Sequence, residues 1–453
     1  MTDLSRASFG PGFRFGVATS SYQIEGAVNE DGRGPSIWDR FSHTPGKTKF
    51  GHHGDVACDH YHRLKEDVAL LDWLGVDAYR FSIAWPRVLP NGRGSVNARG
   101  LDFYERLVDA LLERGIEPCA TLYHWDLPDA LPGGWLARDT VHAFAEFAAA
   151  AAERLGDRVA MWFTHNEPWC QAFLGYQTGL FAPGHRDLGE ALTCAHHLLV
   201  SHGLATQALR AHVKRPVGIA INLIPAYPAT ESEADARATA RYDGYFNRWF
   251  IEPLLGRGYP KDMVELYGAA MPKFPASDVA LMGEPIDVLG INYYERAIIA
   301  EGDEPPLRVA HVRREGMPRT ADREIYPLGL SDTLRRLHQE YGFKKLVVTE
   351  NGAAFPDEFS SDGRVHDVER VAFFRAHLQQ MLKARGEGIP VDAYFAWSLM
   401  DNFEWSEGYT LRYGLVHVDF ETQVRKPKDS AEFLRSLGRH AGTAREAELF
   451  SAT

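Results

Sequence analysis

Short apolar runs recur along the whole chain and alternate with segments of helical spacing. Eight of these runs are predicted as strands because they are four to eight residues long and rich in apolar residues: Phe13–Thr19, Ala78–Ile83, Pro118–Tyr123, Met161–His165, Val217–Leu223, Ile286–Tyr293, Leu346–Thr349 and Ala393–Leu399. Between most of them, apolar residues recur three and four positions apart, which predicts helices facing a core. The clearest helices are Tyr61–Leu74, Leu101–Glu113, Val141–Leu155, Ser331–Tyr341 and Val368–Ala384.

This alternation of strands and helices indicates a parallel sheet. Eight repeats without a linker rich in Gly, Ser or Pro favour one α/β domain over residues 1–453, a closed (β/α)8 TIM barrel, rather than an open doubly wound sheet. The glycine-rich dinucleotide fingerprint is missing after the first strand. Three long segments that follow strands are expected to be loops at the mouth of a site: Glu25–His60, Trp169–Glu190 and Arg296–Tyr326.

Composition narrows the class of partner. The formal net charge of -12 argues against nucleic acid or an anionic membrane as the main partner, and no run approaches the roughly 18 apolar residues of a membrane helix. Four cysteines without a C-x-x-C pair, and a start without a signal-peptide pattern, predict a cytoplasmic protein. His196, His197 and His202 lack metal-ligand spacing, so we expect no metal site and no cofactor.

Two glutamates are the candidate catalytic residues. Glu167 ends the fourth predicted strand in Thr-His-Asn-Glu-Pro, and Glu350 ends the seventh in Thr-Glu-Asn-Gly. The carboxyl ends of barrel strands meet on one face, where active sites are built. A facing pair of carboxyl groups is what hydrolysis of a glycosidic bond requires. For a single glutamate, a surface ion pair or helix cap is the ordinary alternative, but Trp162, Phe163 and Trp169 supply the apolar surroundings that raise a carboxyl pKa.

Seven motifs occur in a fixed order along the chain: Phe15–Gly26, Tyr79–Trp85, Tyr123–Pro128, Thr164–Trp169, Gly290–Tyr294, Val348–Gly352 and Trp397–Trp405. With these motifs the chain resembles glycoside hydrolase family 1, the β-glucosidase family, over nearly its whole length. The resemblance implies a retaining, exo-acting β-glycosidase, with β-glucosidase as the expected activity. Its expected partner is a small β-glycoside or short oligosaccharide.

The resemblance also implies roles for individual residues. Glu167 corresponds to the acid/base and Glu350 to the nucleophile, with Arg80 and Asn292 supporting them. The expected sugar-binding residues are Gln23, His124, Asn166, Tyr294, Trp397, Glu404 and Trp405. Trp169, Leu174 and Arg323 are expected on the aglycone side, where Arg323 replaces a tryptophan that family members often carry.

Several alternatives stay open at this point. Glu404, with Leu411 where 6-phosphoglycosidases carry a lysine, predicts an unphosphorylated sugar, and Glu167 argues against the thioglucosidase variant, which has glutamine there. A transglycosylating enzyme and a catalytically silent sugar-binding protein are the alternative functions. The preference among glucose, galactose and fucose, the natural aglycone and the oligomeric state are not determined by the sequence.

Overall fold

Eight parallel strands close into a barrel in the computed structural model, which describes residues 4–439. The strands are β1 (Arg14–Ala18), β2 (Ala78–Ser82), β3 (Glu117–Tyr123), β4 (Met161–Asn166), β5 (Val217–Asn222), β6 (Val288–Asn292), β7 (Leu346–Asn351) and β8 (Val391–Trp397). Each strand pairs with the next along the chain, and β8 pairs with β1. The predicted (β/α)8 barrel is therefore confirmed, and the predicted strand ends are within two residues of the observed ones.

Helices connect the strands around the outside of the barrel. The longer ones are His60–Leu74, Ala98–Glu113, Arg138–Leu155, Leu188–Arg210, Glu233–Asp243, Pro327–Gln339 and Val368–Gly386. Shorter helices span Ser21–Ile24, Ile37–Ser42, Trp85–Val88, Trp249–Leu254, Lys261–Tyr267, Asp278–Met282 and Asp429–Arg435. Within residues 4–439, no helix is long and apolar enough to cross a membrane.

The helix predicted to begin at Ser331 begins instead at Pro327. Proline suits the first helical turn because its φ angle is preset and its missing N–H would be unpaired there in any case. Ser331 lies inside the helix, where its hydroxyl donates to the carbonyl of Leu328 at 2.8 Å. The hydroxyl is therefore satisfied within the helical turn and does not cap the helix.

The segment Arg296–Tyr326, predicted as a loop, contains two strands, so that prediction was wrong in part. Ala297–Glu301 and Val309–His311 join Ala226–Pro228 in a three-stranded sheet beside the barrel. The first of these strands pairs with a partner about seventy residues earlier, and pairing at that distance leaves no local periodic signal. A second small sheet pairs Val416–Val418 with Arg425–Pro427.

The barrel is closely packed inside and polar at one rim. Gly16 of β1 faces Phe395, and a Cβ at this glycine would lie 2.5 Å from the phenyl ring, so a side chain has no room there. At the opposite end of the wall, β4, β5, β6 and β7 each finish on an asparagine, namely Asn166, Asn222, Asn292 and Asn351. The chain therefore places a ring of amides at the carboxyl ends of the strands, the rim where barrel active sites form.

Candidate active site

A cavity of about 430 Å³ opens at this rim. Its volume is within the range of small-molecule sites. Both glutamates line it, and ten of its lining residues are aromatic: Trp125, Trp169, Phe181, Tyr242, Tyr245, Phe246, Tyr294, Trp397, Trp405 and Tyr413. An apolar wall around two carboxyl groups excludes water and strengthens every electrostatic contact inside it.

Glu167 follows directly after β4, in an unusual backbone conformation. Its φ is 46°, in the left-handed region that residues with a Cβ seldom adopt. Its carboxyl group accepts hydrogen bonds from Asn292 Nδ2 at 2.8 Å and from the Cys170 thiol at 3.1 Å. Both donors are neutral. Burial raises the pKa of Glu167, and the two hydrogen bonds oppose that rise only in part.

Glu350 lies within β7, and one of its hydrogen-bond donors is positively charged. Arg80 Nη1 donates to its Oε1 at 2.7 Å, and the Tyr294 hydroxyl donates to its Oε2 at 2.8 Å. Arg80 is itself buried, and it is oriented by further bonds to Thr121 and Asn166. Burial raises the pKa of Glu350 as well, and the Arg80 charge acts against this rise.

The two carboxyl groups titrate as a coupled pair, since the charge of Glu167 raises the pKa of Glu350. Burial disfavours two charges in one cavity, so one proton is retained on the pair. A guanidinium and a phenol favour the ionised form of Glu350, whereas Glu167 has only an amide and a thiol. The proton is therefore expected on Glu167, with Glu350 ionised.

Asn166 connects the groups around the pair. Its Oδ1 accepts from Arg80 Nη2 at 2.7 Å and from Asn292 Nδ2 at 3.0 Å. Its Nδ2 lies 3.1 Å from His124 Nε2, which accepts the bond in a neutral ring. Burial lowers the pKa of His124 well below its usual value, and the Arg80 charge adds to this. The His124 Nδ1 then carries the ring proton, is buried, and has no bonding partner among residues 4–439.

A further carboxyl group, Glu404, lines the cavity besides Glu167 and Glu350. Gln23 donates to Asn402 Oδ1 at 2.9 Å and to Glu404 Oε2 at 3.4 Å. Burial raises the pKa of Glu404 to about 8. A carboxyl group that keeps its proton offers both a donor and an acceptor, as sugar hydroxyl groups require.

Two tryptophans form a flat wall of the cavity. Trp397 is the last residue of β8, and its ring lies nearly parallel to His124 with centroids 5.9 Å apart. Trp405 has a φ of 51° and packs against Trp125 at 4.6 Å and Trp38 at 4.5 Å. Such faces suit the apolar side of a sugar ring.

Three residues expected to touch the ligand or support the pair do not line the cavity. Gln23, Arg80 and Asn166 lie behind it and act on it through Glu404, Glu350 and His124. The other predicted residues all line it: His124, Glu167, Trp169, Leu174, Asn292, Tyr294, Arg323, Glu350, Trp397, Glu404 and Trp405. The structure thus brings the predicted site residues together in one place.

The sequence analysis missed several lining residues. Cys170 donates to Glu167 from three positions later, a spacing that places side chains on one face of a helical turn, so its contact could have been inferred. Tyr242, Tyr245 and Phe246 come from a segment without a clear pattern. Tyr245 and Phe246 pack against Trp169, whose ring is 4.2 Å from Phe246, and Tyr242 stacks on Phe246. No local signal marks them as part of the site.

The three histidines considered for a metal have separate partners. His196 contacts Asp278 at 2.9 Å, His197 contacts the carbonyl of Trp135 at 2.7 Å, and His202 contacts Thr164 Oγ1 at 2.7 Å. All three are buried. They are packed residues with individual hydrogen bonds and do not converge on one point.

The chain is similar in sequence and in fold to known proteins. The model of glycosyl hydrolase family 1 matches residues 5–443. β-Glucosidase A of Acetivibrio thermocellus is 44% identical over 97% of this chain and all of its own length. A bifunctional β-D-glucosidase/β-D-fucosidase of Bifidobacterium breve is 45% identical over 94% of this chain and 97% of its own. The solved family 1 β-glucosidase of Thermotoga maritima has a TM-score of 0.93 at 46% identity, covering 95% of this chain and 97% of its own.

Proposed function

The chain belongs to glycosyl hydrolase family 1, and on that basis we propose that it is a retaining, exo-acting β-glucosidase whose barrel is its single catalytic domain. The observation that carries the proposal is the unequal support of two buried carboxyl groups in one cavity. Glu350 is held by a guanidinium and a phenol, and Glu167 by an amide and a thiol.

The proposed reaction has two steps. Glu350 Oε attacks the anomeric carbon while Glu167 gives its proton to the departing glycosidic oxygen, which breaks the bond to the aglycone and leaves a glycosyl ester on Glu350. Glu167, now ionised, takes a proton from water, and the water oxygen attacks the anomeric carbon and releases Glu350. Two inversions at one carbon give net retention of configuration.

The proposed substrate is a terminal β-D-glucosyl residue, with β-galactosyl and β-fucosyl residues as weaker ones. Names of the relatives support the glucosyl preference, and the Bifidobacterium breve relative is named for both glucose and fucose. Glu404, with Gln23 behind it, supports an unphosphorylated sugar, since its protonated form bonds a hydroxyl group and its ionised form repels a phosphate.

Two measurements test the proposal. Proton NMR of the first product formed from 4-nitrophenyl β-D-glucoside should show the β anomer before mutarotation, whereas an α product would contradict the retaining assignment. A panel of aryl β-glycosides with cellobiose and lactose should rank glucoside first. Faster turnover of the glucoside 6-phosphate would contradict the assigned sugar, and products longer than the substrate at high concentration would identify a transglycosylase.

We also propose a cytoplasmic location. Cys58, Cys119, Cys170 and Cys194 are all free and buried, and unpaired cysteines are typical of a reducing compartment. Fractionation of the source cells would test this, with activity in the cytosolic fraction as the expected result.

A further inference from the structure

A group of metal-ligand side chains lies outside the cavity, in the segment that follows β1. His43 comes directly after the helix Ile37–Ser42, and His53 and Asp55 follow about ten residues later. His43 Nε2 is 3.2 Å from Asp55 Oδ2, and His53 Nδ1 is 3.3 Å from Asp55 Oδ1. One ligand atom from each residue lies within 4.8 Å of the other two.

The hydrogen bonding of His43 fixes which ring nitrogen carries the proton. Its Nδ1 lies 2.7 Å from the carbonyl oxygen of Asp39, which can only accept, so Nδ1 is the donor. In the neutral ring, Nε2 then presents a lone pair to the Asp55 carboxylate. Two acceptors that face each other at 3.2 Å need a cation between them, either a proton or a metal ion. A backbone carbonyl on the second nitrogen is the usual arrangement for a metal-binding histidine.

The second histidine stacks on the first, with ring centroids 4.6 Å apart and planes at 22°. A single ion can therefore contact one nitrogen of each ring together with an Asp55 oxygen. In a tetrahedral zinc site with bonds of 2.0–2.1 Å, ligand atoms are about 3.4 Å apart. The distances from the two histidines to Asp55, one to each carboxylate oxygen, are close to this value.

We propose that His43, His53 and Asp55 bind a divalent transition-metal ion of the zinc type. All three side chains are 30–48% exposed, so an ion can enter from solvent and a water can complete its coordination. None of the three lines the active-site cavity. The ion is therefore structural and takes no part in glycoside hydrolysis.

The expected role follows from what this segment supports. The Tyr409 backbone N–H donates to His52 Nδ1 at 3.0 Å, and its hydroxyl donates to the His53 carbonyl at 2.8 Å. Lys49 also pairs with Glu407. Because the 404–409 segment carries Glu404 and Trp405, an ion that joins the two ends of the 43–55 segment stabilises the wall of the sugar site against unfolding.

The test is calorimetric titration of the chelator-treated full chain with zinc chloride, with cobalt(II) absorption as a second probe of tetrahedral geometry. The variants are His43→Ala, His53→Ala and Asp55→Asn. His366→Ala is the matched control, because His366 is an exposed histidine that contacts two carboxylates, Asp362 and Asp429, without a second histidine. We expect one zinc per chain, bound more weakly by about tenfold or more in each site variant and unchanged in the control.

Zinc should also raise the Tm of the wild-type and His366→Ala chains and leave that of the three site variants unchanged. Hydrolysis by the site variants at moderate temperature should equal that of the wild type and shows that they are folded; a variant that fails this check is replaced by His43→Gln or His53→Asn. Absence of one-to-one zinc binding would overturn the proposal. So would equal zinc affinity in the wild type and the site variants, since the ion would then bind elsewhere, for example at the catalytic pair.

Discussion

The surroundings of Glu167 and of Glu350 differ, although both carboxyl groups are buried in one cavity. Burial raises the pKa of each. Around Glu350 the donors are a buried guanidinium and a tyrosine; around Glu167 they are an amide and a thiol. Burial therefore makes the pair retain a proton, whereas the charge of the neighbouring groups determines which glutamate carries it.

The largest expected effect is the loss of Glu350. The Glu350→Gly variant lacks the proposed nucleophile, so its kcat on 4-nitrophenyl β-glucoside should fall by roughly 10⁵-fold or more. Azide or formate, which fits in the vacated space, should restore part of the turnover, and azide should give the α-glucosyl azide.

An exposed glutamate provides the matched control for that variant. Glu304→Gly removes a carboxyl group from a surface turn outside the cavity and should leave kcat unchanged. If Glu350→Gly retained wild-type hydrolysis, or gave the β-azide, the nucleophile assignment would be wrong.

Loss of Glu167 should have a smaller effect that depends on the leaving group. Glu167→Gly removes the proposed proton donor, and general acid catalysis contributes about 10²–10⁴-fold for poor leaving groups such as the second sugar of cellobiose. A 2,4-dinitrophenyl glucoside needs no protonation, so its first step should be nearly unaffected and glycosyl-enzyme should accumulate as a burst. An equal loss on both substrates would contradict the division of roles between the two glutamates.

Tyr294→Phe removes one of the hydrogen-bond donors to Glu350. The variant removes a donor that favours ionised Glu350, so the pKa of Glu350 rises and the acid limb of the kcat/KM profile moves to higher pH. The loss of one hydrogen bond to a charged group should lower kcat/KM by roughly tenfold. Tyr227→Phe is the control, because its hydroxyl donates to the carboxylate of Asp332 outside the active-site cavity; a similar shift there would mean that the Tyr294 effect is not specific.

Cys170→Ala removes a neutral donor to Glu167 and should move the alkaline limb of the kcat/KM profile. The thiol donates to Glu167, and this bond lowers the carboxyl pKa. Without it, the pKa of Glu167 rises and the alkaline limb moves to higher pH, while kcat/KM at the optimum changes by less than about fivefold. Cys194→Ala is the control, since Cys194 is buried by apolar contacts away from both glutamates. Movement of the acid limb by Cys170→Ala would contradict the assignment of the proton to Glu167.

The parts of the molecule that could be predicted from the sequence are those with local signals. Strand β4 and its glutamate follow from an apolar run that ends in a polar string, and the barrel follows from eight such runs. The contact between Gln23 and Asn402 joins residues 379 positions apart, and the sheet formed by Ala226–Pro228 and Ala297–Glu301 pairs distant strands. Such contacts depend on how the barrel closes, so no local pattern predicts them.

The smallest expected effect is that of replacing Arg323, which lines the cavity. Its guanidinium is 4.5 Å from the centre of the Tyr294 ring, and its charge lowers the pKa of Glu167. Asp322 at 3.1 Å and Glu295 at 3.9 Å offset that charge, and its side chain is 32% exposed, so solvent screens it further. Arg323→Met should therefore lower kcat/KM for 4-carboxyphenyl β-glucoside relative to 4-methylphenyl β-glucoside by only about two- to threefold, the size expected of a partly exposed charge.

The exposed Arg313 supplies the control, since Arg313→Met removes a charge from the same surface segment outside the cavity. In Arg313→Met, the ratio of kcat/KM for the two substrates should equal that of the wild type. At 1 M salt, the wild-type ratio should approach that of Arg323→Met, because screening suppresses the remaining attraction of Arg323. A ratio that is equal in the wild type and Arg323→Met at low salt would mean that Asp322 and Glu295 neutralise the arginine fully. The aglycone side would then select leaving groups by the shape of its aromatic wall alone.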